Sequence, residues 1–325
     1  MKPFPLLGKL AGACLAFALL APGHAAPRLD DQPIQLVVGF SAGGPADTVA
    51  RTLSQRLGAA LGTSVVIVNR PGADGVIAAS AVARAKPDGH TLLLAPSTLA
   101  INESLYKDLT YDTRGSFIPM TLIGESPNII GVHPSLPVKT VPELVSYSRR
   151  PDVKLFFGSS SSVTLLATEM LKLETGAKME KVPYKGAGQA IPALLSNEVQ
   201  VMVSSVLTLL PQVQAGKVRA LAVTSKSRLA IAPDIPSAAE QGLPDYSAST
   251  WYGLFAPAGT DESVVAAVTQ AMQEVMSDPQ VRAQFEKQGM VTDTGIDTPA
   301  KFAPYFQNEI QKWRKVVVDS GTPVN

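Results

Sequence analysis

Apolar residues along this chain follow two alternating rhythms. Short runs rich in β-branched side chains end in Gly, Pro or Ser, and each gives way to a stretch where apolar positions recur about every four residues. Residues 33–51, PIQLVVGFSAGGPADTVAR, show this most plainly. Leu36, Val37, Val38 and Phe40 form a strand-like run closed by Gly43, Gly44 and Pro45; Val49, Leu53, Leu57 and Leu61 then line one face of a helix. The pattern predicts a strand, a glycine loop and a helix. It predicts a second strand over 64–68 closed by NRPGADG, a small-residue helix over 76–85, and a strand over 91–94 emptying into Pro96, Ser97 and Thr98. Residues 102–120 are polar and irregular, and read as a surface connection.

The grammar then recurs. PNIIGVHPSLPVKTVPELVSYSRR reads as a strand, a proline and a helix opened by Thr140, with Glu143 three residues on as in a capping box. STWYGLFAPAGTDESVVAAVTQAM, about 120 residues later, repeats it. Two such units bracketing a middle section predict paired crossings between two lobes. Between them, 155–157 ends in GSSSSVT, VPYKGAGQAIPALL runs strand, loop and helix, 199–203 ends in Ser204 and Ser205, and 218–223 ends in Thr224 and Ser225. Thr298 and Pro299 open a last helix through Phe302, Phe306, Ile310 and Trp313. Strands alternating with helices predict an α/β fold of two parallel-rich, helix-covered sheets joined by two crossing strands. Ligands of such sheets lie at the carboxyl ends of the strands, where Gly43, Gly44, Ser97 and Thr98 fall.

A glycine loop running into a helix suits an anion. The first amides of a helix have no partner within it, and the macrodipole places partial positive charge there. On a plainer reading, Gly43 and Gly44 only turn a corner and Asp47 only caps the helix. The string is no nucleotide loop: it lacks the Gly-Lys-Ser/Thr ending, and GFSAGG is not GxGxxG. In the serine cluster, Ser162 reads as a helix cap. Tyr184 suits a lobe surface and Lys185 suits solvent. Trp251 and Tyr252 read as hinge or core, and Trp313 as packing.

Charge narrows the partners. Lys+Arg 28 against Asp+Glu 27, with no block of like charge, leaves no footprint for nucleic acid. The first 25 residues carry Lys2 and Lys9, an apolar stretch over 10–20, and Gly23-His24-Ala25 as a cleavage signal, which predicts an export leader over 1–25. The only cysteine, Cys14, lies inside it, with Ala11 where a lipoprotein signal has Leu, so the exported chain is expected to be soluble and free of disulfides. Removing Lys2 and Lys9 takes the formal balance from +1 to −1. Beyond the leader only His90 and His133 remain, with no HExxH and no GxSxG elbow, so no metal, cofactor or enzymatic role is expected.

Several strings together resemble a known family: PIQLVVGFSAGGPADTVAR, VIVNRPGADGVIAASAVARAKPDGHTLLL, SLYKDLTYD, VHPSLPVKTVPELV, VPYKGAGQAIPALLSNEVQVM, GKVRALAVTSKSR and WYGLFAPAGT. Their order and spacing resemble the Bug family of periplasmic solute-binding proteins, the receptors of tripartite tricarboxylate transporters. The resemblance spans essentially the whole exported chain. It implies a two-lobed Venus flytrap, type II-like, that holds a ligand carboxylate between the lobes through loop amides, hydroxyls and ordered water. By position it implies a first jaw of Phe40, Ala42, Gly43, Gly44, Asp47, Thr48 and Ser97. The second jaw is Ser159, Ser160, Ser161, Ser162, Pro183, Tyr184, Lys185, Gly186, Ser204 and Ser205. Family members commonly carry a longer glycine loop where GSSSSVT stands, and an Asp-Asn pair where Ser204 and Ser205 stand. Loss of that acidic group removes a partner for a ligand ammonium and favours a plain organic acid over an amino acid.

The expectation is a monomeric periplasmic receptor for a small carboxylate that serves membrane transporter subunits. Lobe I comprises 26–124 and 251–325, and lobe II 125–250. A sensor of the same shape docking on a membrane kinase is the nearest alternative, and a periplasmic enzyme a more distant one.

Overall fold

The computed structural model describes residues 32–324 together with Met1, so the expected leader and Cys14 lie outside the described residues. In chain order come β1 (Ile34–Val38), α1 (Pro45–Leu61), β2 (Val65–Asn69), α2 (Val76–Ala83), β3 (Thr91–Pro96), α3 (Thr98–Leu105) and β4 (Phe117–Ser126). A second run follows: β5 (Asn128–Val132), α4 (Val141–Ser148), β6 (Phe156–Ser159), α5 (Ser162–Thr175), β7 (Glu180–Pro183), α6 (Ala187–Leu195), β8 (Val201–Ser205), α7 (Val206–Gln214) and β9 (Arg219–Val223). The chain closes with β10 (Thr250–Pro257), α8 (Glu262–Ser277), α9 (Pro279–Lys287) and α10 (Pro299–Ser320).

Two five-stranded sheets result, ordered β2-β1-β3-β10-β4 and β7-β6-β8-β5-β9. β1 lies parallel between β2 and β3, and β6 parallel between β7 and β8. One strand per sheet runs backwards: β10 against β3 and β4, and β5 against β8 and β9. The reason is connectivity. β4 leaves the first sheet at its carboxyl edge and after Pro127 alone becomes β5, which enters the second sheet from the edge where β8 ends, with Asn128 opposite Ser205. β10 enters the first sheet in the same way, with Tyr252 opposite Pro96 at the end of β3. The carboxyl edges of both sheets therefore meet at the crossings.

Alternation along β1 splits its side chains between two cores. Ile34, Leu36 and Val38 pack with Val49, Leu53 and Leu57 of α1, while Val37 faces the cluster built on α10. There Phe302, Phe306, Ile310 and Trp313 meet Trp251 and Phe255 of β10, with the Phe255 and Phe306 rings 5.1 Å apart. Each such aromatic contributes about 1.5–3 kcal/mol by leaving water. The same cluster runs on into Leu166, Ala167 and Leu171 of α5, so one apolar core ties both sheets together behind the crossings. Glu309 is buried within it because its carboxylate accepts the indole N–H of Trp251 and of Trp313, each at 2.9 Å, and pairs with Lys312.

Residues 102–120 are more ordered than their polarity suggests. α3 spans their start and β4 their end. Leu99, Ala100, Ile101 and Leu105 of α3 are all buried, a helix apolar on several sides and so without the polar alternation that marks a surface one. Pro119 sits in β4 beside a register shift opposite Leu254 and Phe255, where the ladder tolerates its missing N–H.

Candidate functional site

Helices begin where strands end on the shared edge. α1 is capped at Gly44 after β1, α3 at Ser97 after β3, α5 at Ser161 after β6, α6 at Gly186 after β7, and α7 at Ser205 after β8. Each brings the positive end of its dipole to the crossings, although the Ser162 amide of α5 is taken by Asp74 and the Val206 amide of α7 by the Pro127 carbonyl.

The loop before α1 is built from within. Gly43 has φ +80°, a left-handed conformation that favours glycine, and its amide donates to Asp47 Oδ2 at 2.8 Å. Asp47 is only 1% exposed, and it also accepts from Arg51 Nε at 2.7 Å and from Asn69 Nδ2 at 3.0 Å. The Arg51 bonds outweigh burial and hold the Asp47 carboxyl below its ordinary value. Asn69 donates to the Phe40 carbonyl as well, and Thr48 Oγ1 donates to the Gly44 carbonyl. Asp47, Thr48 and the Gly43 amide, which the resemblance places in the first jaw, therefore hold the loop together. At the first turn of α1, Gly44 offers no capping side chain and Pro45 no N–H. Phe40 stands half-buried beside it, and Ala42 is exposed.

Ser97 is fully buried; its amide donates to the Trp251 carbonyl, and its hydroxyl has no partner among the described residues. Ser126 Oγ and Asn128 Oδ1, on either side of the first crossing, are buried in the same state. Buried polar groups are nearly always paired, so these three atoms can each take a further hydrogen bond. The other Asn128 groups secure the first crossing: its amide donates to Thr224 Oγ1 at 2.8 Å and its Nδ2 to the Ala248 carbonyl.

On the second sheet, the cap of α5 is Ser161, one residue before the Ser162 expected from sequence. Ser161 and Thr164 form a reciprocal capping box, which commits the Ser161 hydroxyl. Ser159 is buried, and its carbonyl accepts the Tyr184 amide; Ser160 is half-buried. Tyr184 donates its hydroxyl to Glu198 at 2.8 Å, and burial together with that carboxylate pushes the phenol up to about 12. Lys185 is exposed, and Gly186 has room for a side chain. Ser204 and Ser205 are buried, with the Ser205 hydroxyl 2.9 Å from that of Thr208.

One residue that the sequence reading passed over joins the two halves. Asp74, in the NRPGADG loop between β2 and α2, accepts the amide of Ser162, the first residue of α5, at 2.7 Å. The Ser162 hydroxyl also lies in the field of that carboxylate, although only the amide makes a bond of good geometry. Asp74 has φ +53° and its neighbour Ala73 φ +46°, turn conformations that Asp tolerates better than most residues. Burial holds the carboxyl above its ordinary value, against the opposing pull of the Ser162 amide and hydroxyl. A small pocket of about 10 Å³, room for about one water molecule, lies beside it, lined by Phe40, Asp74, Gly75, Thr98 and Asn102. The expectation of a plain organic acid, drawn from the Ser204 and Ser205 positions, was formed without this residue. Its only signal was an acid in a glycine turn.

Two sheets whose carboxyl edges meet at two crossings, edged by helix N-termini, define a two-lobed solute-binding protein. Residues 49–321 match the family described as tripartite tricarboxylate transporter family receptor (TctC), and the chain belongs to that family. Among solved structures it is similar to the periplasmic binding protein BugD (31% identity, TM-score 0.80, covering 90% of this chain and 99% of that one). It is also similar to an R. palustris protein with adipate (32%, TM-score 0.81, 89% and 97%). MatC from Rhodopseudomonas palustris, with bound malate, is similar at 32% identity with a TM-score of 0.78, covering 88% and 98%.

Proposed function

We propose that this chain is exported to the periplasm, closes on a small carboxylated organic molecule, and presents it to a tripartite tricarboxylate-type transporter in the membrane. The observation that carries this is the uncapped start of α1 at Gly44, set on the edge where α5, α6 and α7 also begin. Several amides directed at one place bind a carboxylate without any cationic side chain. Similar proteins of the same fold solved with adipate and malate support the same ligand class. On this reading Phe40, Ala42, Gly43, Gly44 and Ser97 contact the solute from lobe I. Ser159, Ser160, Tyr184, Lys185, Gly186, Ser204 and Ser205 do so from lobe II, while Asp47, Thr48 and Ser161 shape the loops. The lobe boundaries fall at the crossings, near residues 125 and 250.

The test is a thermal-shift panel of mono-, di- and tricarboxylates on the protein without its leader, repeated on Gly44→Asp. Gly44 has φ −77°, open to any residue, and an added Cβ stands 3.1 Å from the Ser41 carbonyl oxygen, a contact relieved by a few tenths of an ångström. Asp is a strong cap, so the variant keeps its melting point while its own carboxylate fills the anion corner. Wild type is expected to gain about 5 °C or more at saturating ligand, and the variant none. Equal shifts in both proteins argue against the α1 site.

A further inference from the structure

The start of α5 is the counterpart in lobe II of the α1 corner, yet it already holds a carboxylate. Asp74 reaches across from lobe I and takes the Ser162 amide at 2.7 Å. No ion pair is formed by Asp74 among the described residues; the start of α5 at Ser162 is what favours its ionised form, against the burial that raises its pKa. Two further groups at the place make no bond of good geometry among the described residues: Ser162 Oγ, in a residue 6% exposed, and Asn102 Oδ1, in a residue 1% exposed whose Nδ2 holds the Asp74 carbonyl. Asn102 and Asp74 both line the cavity beside Phe40.

We propose that Asp74 is a specificity-determining residue: it denies the lobe II end of the cleft to a second ligand carboxylate and selects a solute that brings a hydroxyl or amine there. The preferred class is then a monocarboxylate with a hydrogen-bond donor at its far end. The inference rests on the receptor reading above and adds the polarity of the ligand. The physical reason is charge. A carboxylate beside Asp74 meets a like charge with no cation between them, whereas an ammonium or hydroxyl meets an acceptor already in position. Discrimination of this kind works by penalising the wrong partner as well as by attracting the right one.

Calorimetric titration of matched series tests it. One series is succinate, 4-hydroxybutyrate and 4-aminobutyrate; the other is adipate, 6-hydroxyhexanoate and 6-aminohexanoate. Wild type is expected to prefer the hydroxy or amino acid to its matched dicarboxylate by tenfold or more. Asp74→Asn, which keeps the shape and removes the charge, should reduce that ratio at least tenfold, and Asp74→Gly, which suits the left-handed backbone, should do the same. A wild type that prefers the dicarboxylate, or variants that keep the wild-type ratio, overturns the role of Asp74. If no form binds any member of either series, the carboxylate-receptor reading itself falls, and the inference falls with it.

Discussion

At the residue scale, each acidic group near the cleft owes its role to its nearest donors. Asp47 and Asp74 both follow a glycine turn, but Asp47 is neutralised by Arg51 while Asp74 faces only an amide and a hydroxyl. Their pKa values accordingly move in opposite directions. Because the folded value of Asp47 is lowered, its contribution to stability is fully present above the unfolded carboxylate range and is lost as pH falls through the folded value. Asp47→Asn should therefore cost about 1–2 kcal/mol at pH 7, the smaller end reflecting an Arg51 that is more than half exposed. Urea unfolding of both proteins from pH 7 to pH 3 checks this. The gap should narrow at the acid end, and a gap that does not change with pH refutes the pairing as its source.

At the element scale, β10 and α10 fit each other by the absence of one side chain. A Cβ on Gly253 would stand 2.4 Å from Cζ of Phe302, itself fully buried between Trp251 and Phe255. That ring has nowhere to move. Gly253→Ala should destabilise by about 1–3 kcal/mol through overpacking, read as a melting point lower by several degrees with the far-ultraviolet spectrum unchanged. A companion Phe302→Leu that recovers part of the loss in the double variant would place the clash at this contact. The tryptophans 251 and 313, tied through Glu309, belong to the same packing.

At the scale of the whole molecule, the two lobes touch at several places around the crossings. Asp74 meets Ser162 at the cleft, and the backbone of Gly289 comes close to Val206 and Ile231. Behind them the α10 cluster runs into α5. On the receptor reading, a shared core behind and lighter contacts in front are where the two lobes would open and close. A ligand shifts such an equilibrium only by its extra contacts in the closed state. Small-angle scattering is expected to give a smaller radius of gyration when the tightest carboxylate of the panel is added at saturation. An unchanged radius indicates lobes held together without solute.

The sequence alone determined the alternation of strand and helix, the glycine loop before α1, the capping of α4 by Thr140, and the two crossing units, because each depends on residues within a few positions of one another. It also made legible which loops share the cleft edge, since strand polarity follows from the alternation. Tertiary structure decided the rest. That α3 is a buried helix depends on α10 and α5, which lie far along the chain. The reversed direction of β5 and β10 depends on a crossing made in space, and Asp74 becomes a cleft residue only because 88 positions separate it from the Ser162 amide it meets. Local patterns record what a residue prefers to form. Contacts across the fold, carried by burial and by charge with no water between, decide what it touches.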